Sequence, residues 1–126
     1  MTWPTEAFLV AAQDEFVEVV GPPGLDGVVA VEVTGGPDGD VPVRLVFADG
    51  RLTGADFGTA DVVATLTVTA EDARAMVAGD LDPSVAFMQG RMKVSGEMAL
   101  VLDLLAAAAT EDARAARARL AQSIAG

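Results

Sequence analysis

The stretch Gly79–Leu105, GDLDPSVAFMQGRMKVSGEMALVLDLL, decides how the rest of the chain is read. It predicts a loop, a short helical turn, a strand and a second helix. Asp82-Pro83 starts the turn, since proline at a first helical position gives up no hydrogen bond. Gly90 lets the chain leave that turn through backbone angles other residues resist. Arg91–Ser95 then alternates, with Met92 and Val94 on one face and Arg91, Lys93 and Ser95 on the other. Gly96 ends the strand. From Glu97 onward Met98, Val101, Leu102 and Leu105 recur at helical spacing.

Working outward, Thr69-Ala70-Glu71-Asp72 is a capping-box variant that opens a helix with Ala73, Met76 and Val77 on one face. Thr110 caps a last helix with Ala113, Ala116, Leu120 and Ile124 inward and Arg114, Arg117 and Arg119 mostly outward. On the N-terminal side four strands are expected. Val29, Val31 and Val33 share a face of the first, and Val43, Leu45 and Phe47 a face of the second. Asp49-Gly50 is a two-residue hairpin signal leading into Arg51–Phe57, because both turn positions tolerate positive φ. Val62–Val68 supplies the fourth strand, with Ala64, Leu66 and Val68 together, and consecutive antiparallel pairing would make these strands a meander. Thr2 or Thr5 caps a first helix running to about Val20, with Leu9, Ala12, Phe16 and Val19/Val20 on its apolar face, and Gly21-Pro22-Pro23-Gly24 stops it.

At 126 residues the chain suits a single domain, residues 1–126, with a substantial core. Hydrophobic residues make up 52% of it, yet no apolar run approaches the roughly 20 residues of a membrane-spanning helix. Stable membrane insertion is therefore not expected. The net charge of −11 is uneven: ahead of Ala73 there are 13 acidic residues against Arg44 and Arg51 alone. Such a surface repels phosphate backbones, which argues against nucleic acid as a partner. It also withholds the polybasic attraction used on anionic membranes. The cysteine-free composition, with no basic residue ahead of the apolar segment in Met1–Val10, fits a cytoplasmic protein. The terminal Ser-Ile-Ala-Gly does not match a peroxisomal address.

The inventory of reactive side chains is short. Without His, Cys or Tyr, the commonest general bases and activated nucleophiles are missing. The single lysine, Lys93, falls on the polar face of its strand, where a Schiff-base enzyme would need it desolvated. Asp38-Gly39-Asp40 lacks the spacing of a calcium loop and reads as ordinary turn chemistry. Asp103 interrupts an apolar helix; it faces solvent or is a buried acid, and the pattern leaves both open. No cofactor, metal site or catalytic residue is expected.

The Ala86-Phe87, Gly90, Arg91-Met92-Lys93-Val94 and Gly96 sequence, followed by the apolar Met98–Leu105, resembles the signature of the sterol carrier protein 2 family. The likeness is to a bacterial-type stand-alone domain. It implies an α+β fold, an about five-stranded, mostly antiparallel sheet covered by helices, with an apolar tunnel between the layers for fatty acids, acyl-CoA, sterols or phospholipids. Met76, Met88, Met92 and Met98 cluster around the signature. On composition they read as core filler, and under the resemblance as adaptable pocket lining. Carried over by position, Phe87 and Met88 sit beneath the tunnel. Met92 and Val94 form its floor, and Met98, Val101, Leu102 and Leu105 its wall, with Met76 and Val77 on the adjoining helix. Animal members are similar here but carry a Lys near Asp103 and a Gln near Leu105. Their absence implies a drier pocket that favours a neutral sterol-like or acyl-chain ligand.

Three readings follow. The first is a noncatalytic carrier of a hydrophobic small molecule. The second is a structural, dimerising or accessory domain of the same fold, with no free cavity and an apolar patch for a homodimer. The third is an enzyme using carboxylates alone, which would need a clustered, pH-shifted pair. The first predicts an apolar cavity near residues 87–105 and makes the Ala-rich Thr110–Ala125 helix its lid.

Overall fold

The computed structural model describes residues 5–16, 19–22, 25–36 and 39–125, with side chains through 122. In chain order the elements are α1 (Glu6–Phe16), β1 (Gly27–Gly36), β2 (Gly39–Ala48), β3 (Arg51–Phe57), β4 (Ala64–Thr69), α2 (Ala70–Ala78), α3 (Pro83–Met88), β5 (Lys93–Gly96), α4 (Met98–Ala108) and α5 (Glu111–Ala125).

Local signals are met where short-range chemistry acts. The Thr5 hydroxyl accepts from the Phe8 amide at 3.0 Å and caps α1. Thr2, the other candidate cap, and residues 17–18 lie outside the described residues. Thr69 Oγ1 accepts from the Asp72 amide at 3.1 Å. In the usual capping box the third side chain folds back to the cap, but Asp72 instead receives Arg91 Nη2 at 2.7 Å, tying α2 to the segment that leads into β5. This ion pair raises the Arg91 pKa above its ordinary value. Asp82 Oδ1 accepts from the Ser84 amide at 2.8 Å, with Pro83 at the first helical position of α3. Asp49 and Gly50 both take positive φ, as the hairpin signal requires.

The sheet departs from the expected meander. Its order is β3-β2-β1-β4-β5. β1, β2 and β3 do pair antiparallel in succession, but β4 leaves β3 and lies parallel to β1, with Val29 opposite Ala64 and Val33 opposite Val68. β5 then pairs antiparallel with β4, so the five-stranded sheet is mixed. Residues 58–63 make the crossing: Gly58 N donates to Pro42 O, Arg44 Nη1 to Ala60 O and Val63 N to Val28 O. Arg44 alternates with the inward Val43 and Leu45, so the crossing runs over the outer face of the sheet. Alternation identifies a strand and its buried face, but it carries no information about which strand lies alongside.

Arg44 also fixes the outer register of β2 and β3. Its Nε and Nη2 donate to Asp56 Oδ1 and Oδ2 at 2.8 and 3.1 Å, across a direct β2–β3 pair. The fork raises the Arg44 pKa and holds the Asp56 carboxyl below its ordinary range.

The inner face carries Val29, Val31 and Val33, then Val43, Leu45 and Phe47, then Ala64, Leu66 and Val68, and the helices cover it. Gly96 brings β5 and α4 against this layer. A Cβ there would collide with the Val63 carbonyl oxygen and lie 2.8 Å from Ala64 Cα, so only glycine admits this approach. The Glu97 amide then donates to Val63 O at 3.0 Å and starts α4. Gly50 plays the same part for the β2–β3 turn. Its Cβ would lie 2.5 Å from Gly21 O, and the Gly21 amide donates to Gly50 O at 2.7 Å.

Candidate functional site

Between the sheet and the helices lies a cavity of about 290 Å³, just below the roughly 300–1,000 Å³ usual for ligand pockets. Its floor is the valine, leucine and phenylalanine face of β1, β2 and β4. Phe8, Leu9, Ala12 and Phe16 of α1 close one side. Leu104, Leu105, Ala107 and Ala108 of α4 close another, and Ala113, Arg117 and Leu120 of α5 lie across the top. Among the described residues every lining side chain is apolar except Arg117. Such a space offers a ligand burial and shape, with almost no polar competition from its walls.

Of the residues expected to line the pocket, Met76, Val77, Met92 and Leu105 reach it. Phe87 and Val94 are half-buried and pack on the core cluster, while Val101 is fully buried within that cluster and does not face the space. Three stand elsewhere. Met88 is 83% exposed, Leu102 52% and Met98 44%, all on the outer surface. On α3 the buried residue is Ala86, which turns Met88 away from the core. On α4 the buried side is Leu100, Val101, Leu105 and Ala107, with Leu104 packed beside them. A helix as apolar as MALVLDLLAAA offers more than one stripe at helical spacing, and packing rather than periodicity selects between them. Asp103, on the same helix, is half-buried and outside the cavity lining.

The last helix brings a second correction. Ala113, Ala116 and Leu120 are buried as expected, and the Ile124 side chain lies outside the described residues. Arg114 and Arg119 face solvent, whereas Arg117 turns in. Its Nη1 donates to Ala108 O at 2.8 Å, and burial lowers its pKa from the ordinary arginine value. The signal was available: residues 113, 117 and 120 follow i, i+4, i+7 and share one face. The α1 side was legible too, since Phe8, Ala12 and Phe16 repeat every fourth residue.

Among the described residues no group of three or more acidic residues is arranged to hold a metal ion. Asp38 of the acidic turn lies outside the described residues. Among the described residues no helix is long and apolar enough to cross a membrane.

The mixed five-stranded sheet with helices on one face and an apolar cavity beneath them defines an α+β architecture. Residues 23–109 match the SCP-2 sterol transfer family, and the chain belongs to that family. It is 29% identical over 92 residues to sterol carrier protein 2 of Gallus gallus, a match spanning 72% of this chain and 16% of the relative's length. The fold recurs in a conserved hypothetical protein from Thermus thermophilus, with a TM-score of 0.76 at 22% identity over 96% of this chain and 91% of that one. It recurs also in the crystal structure of sterol carrier protein 2, with a TM-score of 0.72 at 24% identity over 92% and 98% of the two chains.

Proposed function

We propose that residues 1–126 act as one noncatalytic lipid-binding domain that takes a sterol-like or acyl-chain ligand into the cavity and carries or presents it. The observation that carries this reading is the cavity of about 290 Å³ with its apolar lining. Membership of the SCP-2 sterol transfer family supports it, as does the name of the avian relative. Burial of each methylene contributes about 0.8 kcal/mol, so a long chain reaches micromolar affinity after the costs of association. No reactive group is needed.

Native mass spectrometry of protein purified without detergent, with organic extraction, tests the reading. A lipid bound at one per chain is the expected result. A clean apo mass, with no uptake of a fluorescent fatty acid or sterol, would sink it.

Loading requires an opening, and α5 is the element we assign to it. Its described buried contacts are Ala113, Ala116 and Leu120, two of them small. Its ion pairs, Arg114 with Asp82 at 3.6 Å and Arg119 with Glu15, are partly solvent-exposed and lie at the surface, where such pairs contribute about 0–1 kcal/mol each. Amides of α5 should exchange hydrogen faster than those of β1, β2 and β4. Equal protection in helix and strands would refute the lid.

One observation favours the structural alternative. Val85 and Met88 of α3 and Met98 and Leu102 of α4 are exposed large apolar side chains, of the kind a self-associating domain would cover. A dimer peak in the native spectrum without bound lipid would put that reading first.

A further inference from the structure

Arg117 is the one charged side chain among the described residues that line the cavity. A half-buried guanidinium normally finds an acidic partner, because desolvating an unpaired charge is costly. Here none of the described residues makes an ion pair with Arg117. The nearby Asp82 already caps α3 through Ser84 and faces Arg114 at 3.6 Å. Among the described residues its one hydrogen bond, from Nη1 to the Ala108 carbonyl oxygen, leaves most of its five N–H donors unused.

The position of this charge gives it a direction. A second, more polar hollow lies between the α2–α3 junction and α5, lined by Gly79, Leu81, Asp82, Arg114 and Ala118. Val77 and Arg117 line both spaces, so they form the boundary between an apolar chamber and a more polar vestibule. The vestibule holds two arginines and one aspartate, a formal excess of one positive charge.

We propose that Arg117 is the head-group anchor of the cavity. It selects a long-chain anionic amphiphile whose tail fills the apolar chamber and whose carboxylate pairs with the guanidinium at the α5 boundary. This rests on the lipid-binding reading and narrows it from a neutral ligand to an anionic one. The Arg117 fork fits a carboxylate with two parallel N–H···O bonds, a match that a hydroxyl head group cannot reproduce. Neutralising the half-buried charge makes the occupied state the electrostatically satisfied one. Arg117 also bonds the last turn of α4, so a head group drawing on this side chain acts directly on the α4–α5 contact.

Hexadecanoate and hexadecanol, equal in chain length and different in charge, separate the possibilities at neutral pH. Wild-type protein should prefer the acid by roughly tenfold or more, the scale of one charge-assisted pair. Arg117→Gln should reduce that preference to near unity. Because the substitution also removes the bond to Ala108, a readout on unaltered protein is needed as well. The Arg117 side-chain 15Nε signal should shift on adding the acid and stay in place with the alcohol or with acetate, which has the charge but no chain. Equal affinities for acid and alcohol in the wild type overturn the anchor and leave the carrier intact. So does an Arg117 signal that ignores hexadecanoate. Binding of neither amphiphile overturns the anchor together with the lipid-binding reading beneath it.

Discussion

Replacing Gly96 with alanine is expected to cost at least about 3 kcal/mol, enough to remove much of the stability of a domain this small. Two causes add. Gly96 has φ +96°, in the region where a side chain is strained. The new methyl would also meet backbone, the Val63 carbonyl oxygen and Ala64 Cα, and neither can swing aside as a side-chain tip would. To relieve the contact β5 must move away from β4, and the Glu97 amide must leave Val63 O, taking the start of α4 with it. Gly90→Ala is the matched control. It has φ +73° but nothing within 4 Å of the new Cβ, so it carries the strain without the collision, about 1–2 kcal/mol. Urea unfolding of the two variants separates the terms. Equal losses would show that the close approach of β5 to β4 is not what seats this segment.

Filling the cavity is the second large effect. Leu45 lies on β2, half-buried, with its side chain in the cavity wall and Val29 opposite it on β1. A tryptophan at position 45 is expected to occupy the chamber and lower ligand affinity by more than about tenfold, since the apolar area it covers is area the ligand would otherwise bury. The same variant should melt no lower than the wild type, because its ring fills space that is empty without ligand. In a tightly packed core the identical change would overpack and cost about 1–3 kcal/mol. Binding and thermal melting together therefore distinguish a pocket from a core. A variant that is destabilised yet binds lipid normally would place the ligand elsewhere.

These two sites differ in how visible they are in the sequence. Gly96 belongs to a pattern of glycine, short basic strand and glycine, and its importance can be read directly from it. Leu45 reads only as one inward residue among several on a strand. The existence of a space above it depends on how far the helices stand from the sheet, and residues from α1, α4 and α5 set that distance. The methionines make the same point. Met76 and Met92 reach the cavity, while Met88 and Met98 point to solvent, although all four are clustered in sequence and chemically alike.

By itself the sequence determined the features whose chemistry acts over a few residues. The Thr5, Thr69 and Asp82 caps, the Asp49-Gly50 turn and the alternating apolar faces of β1, β2 and β4 are all of this kind. Each depends on a hydrogen bond within a turn or on the twofold repeat of a strand, so neighbouring residues suffice to specify it. Tertiary structure alone decided that β4 lies parallel to β1 and that α4 buries the Leu100–Val101 side rather than Met98 and Leu102. Those outcomes compare alternatives that are nearly equal in local energy. Strand partner and helix stripe are separated only by the total apolar area buried when the helices close over the sheet.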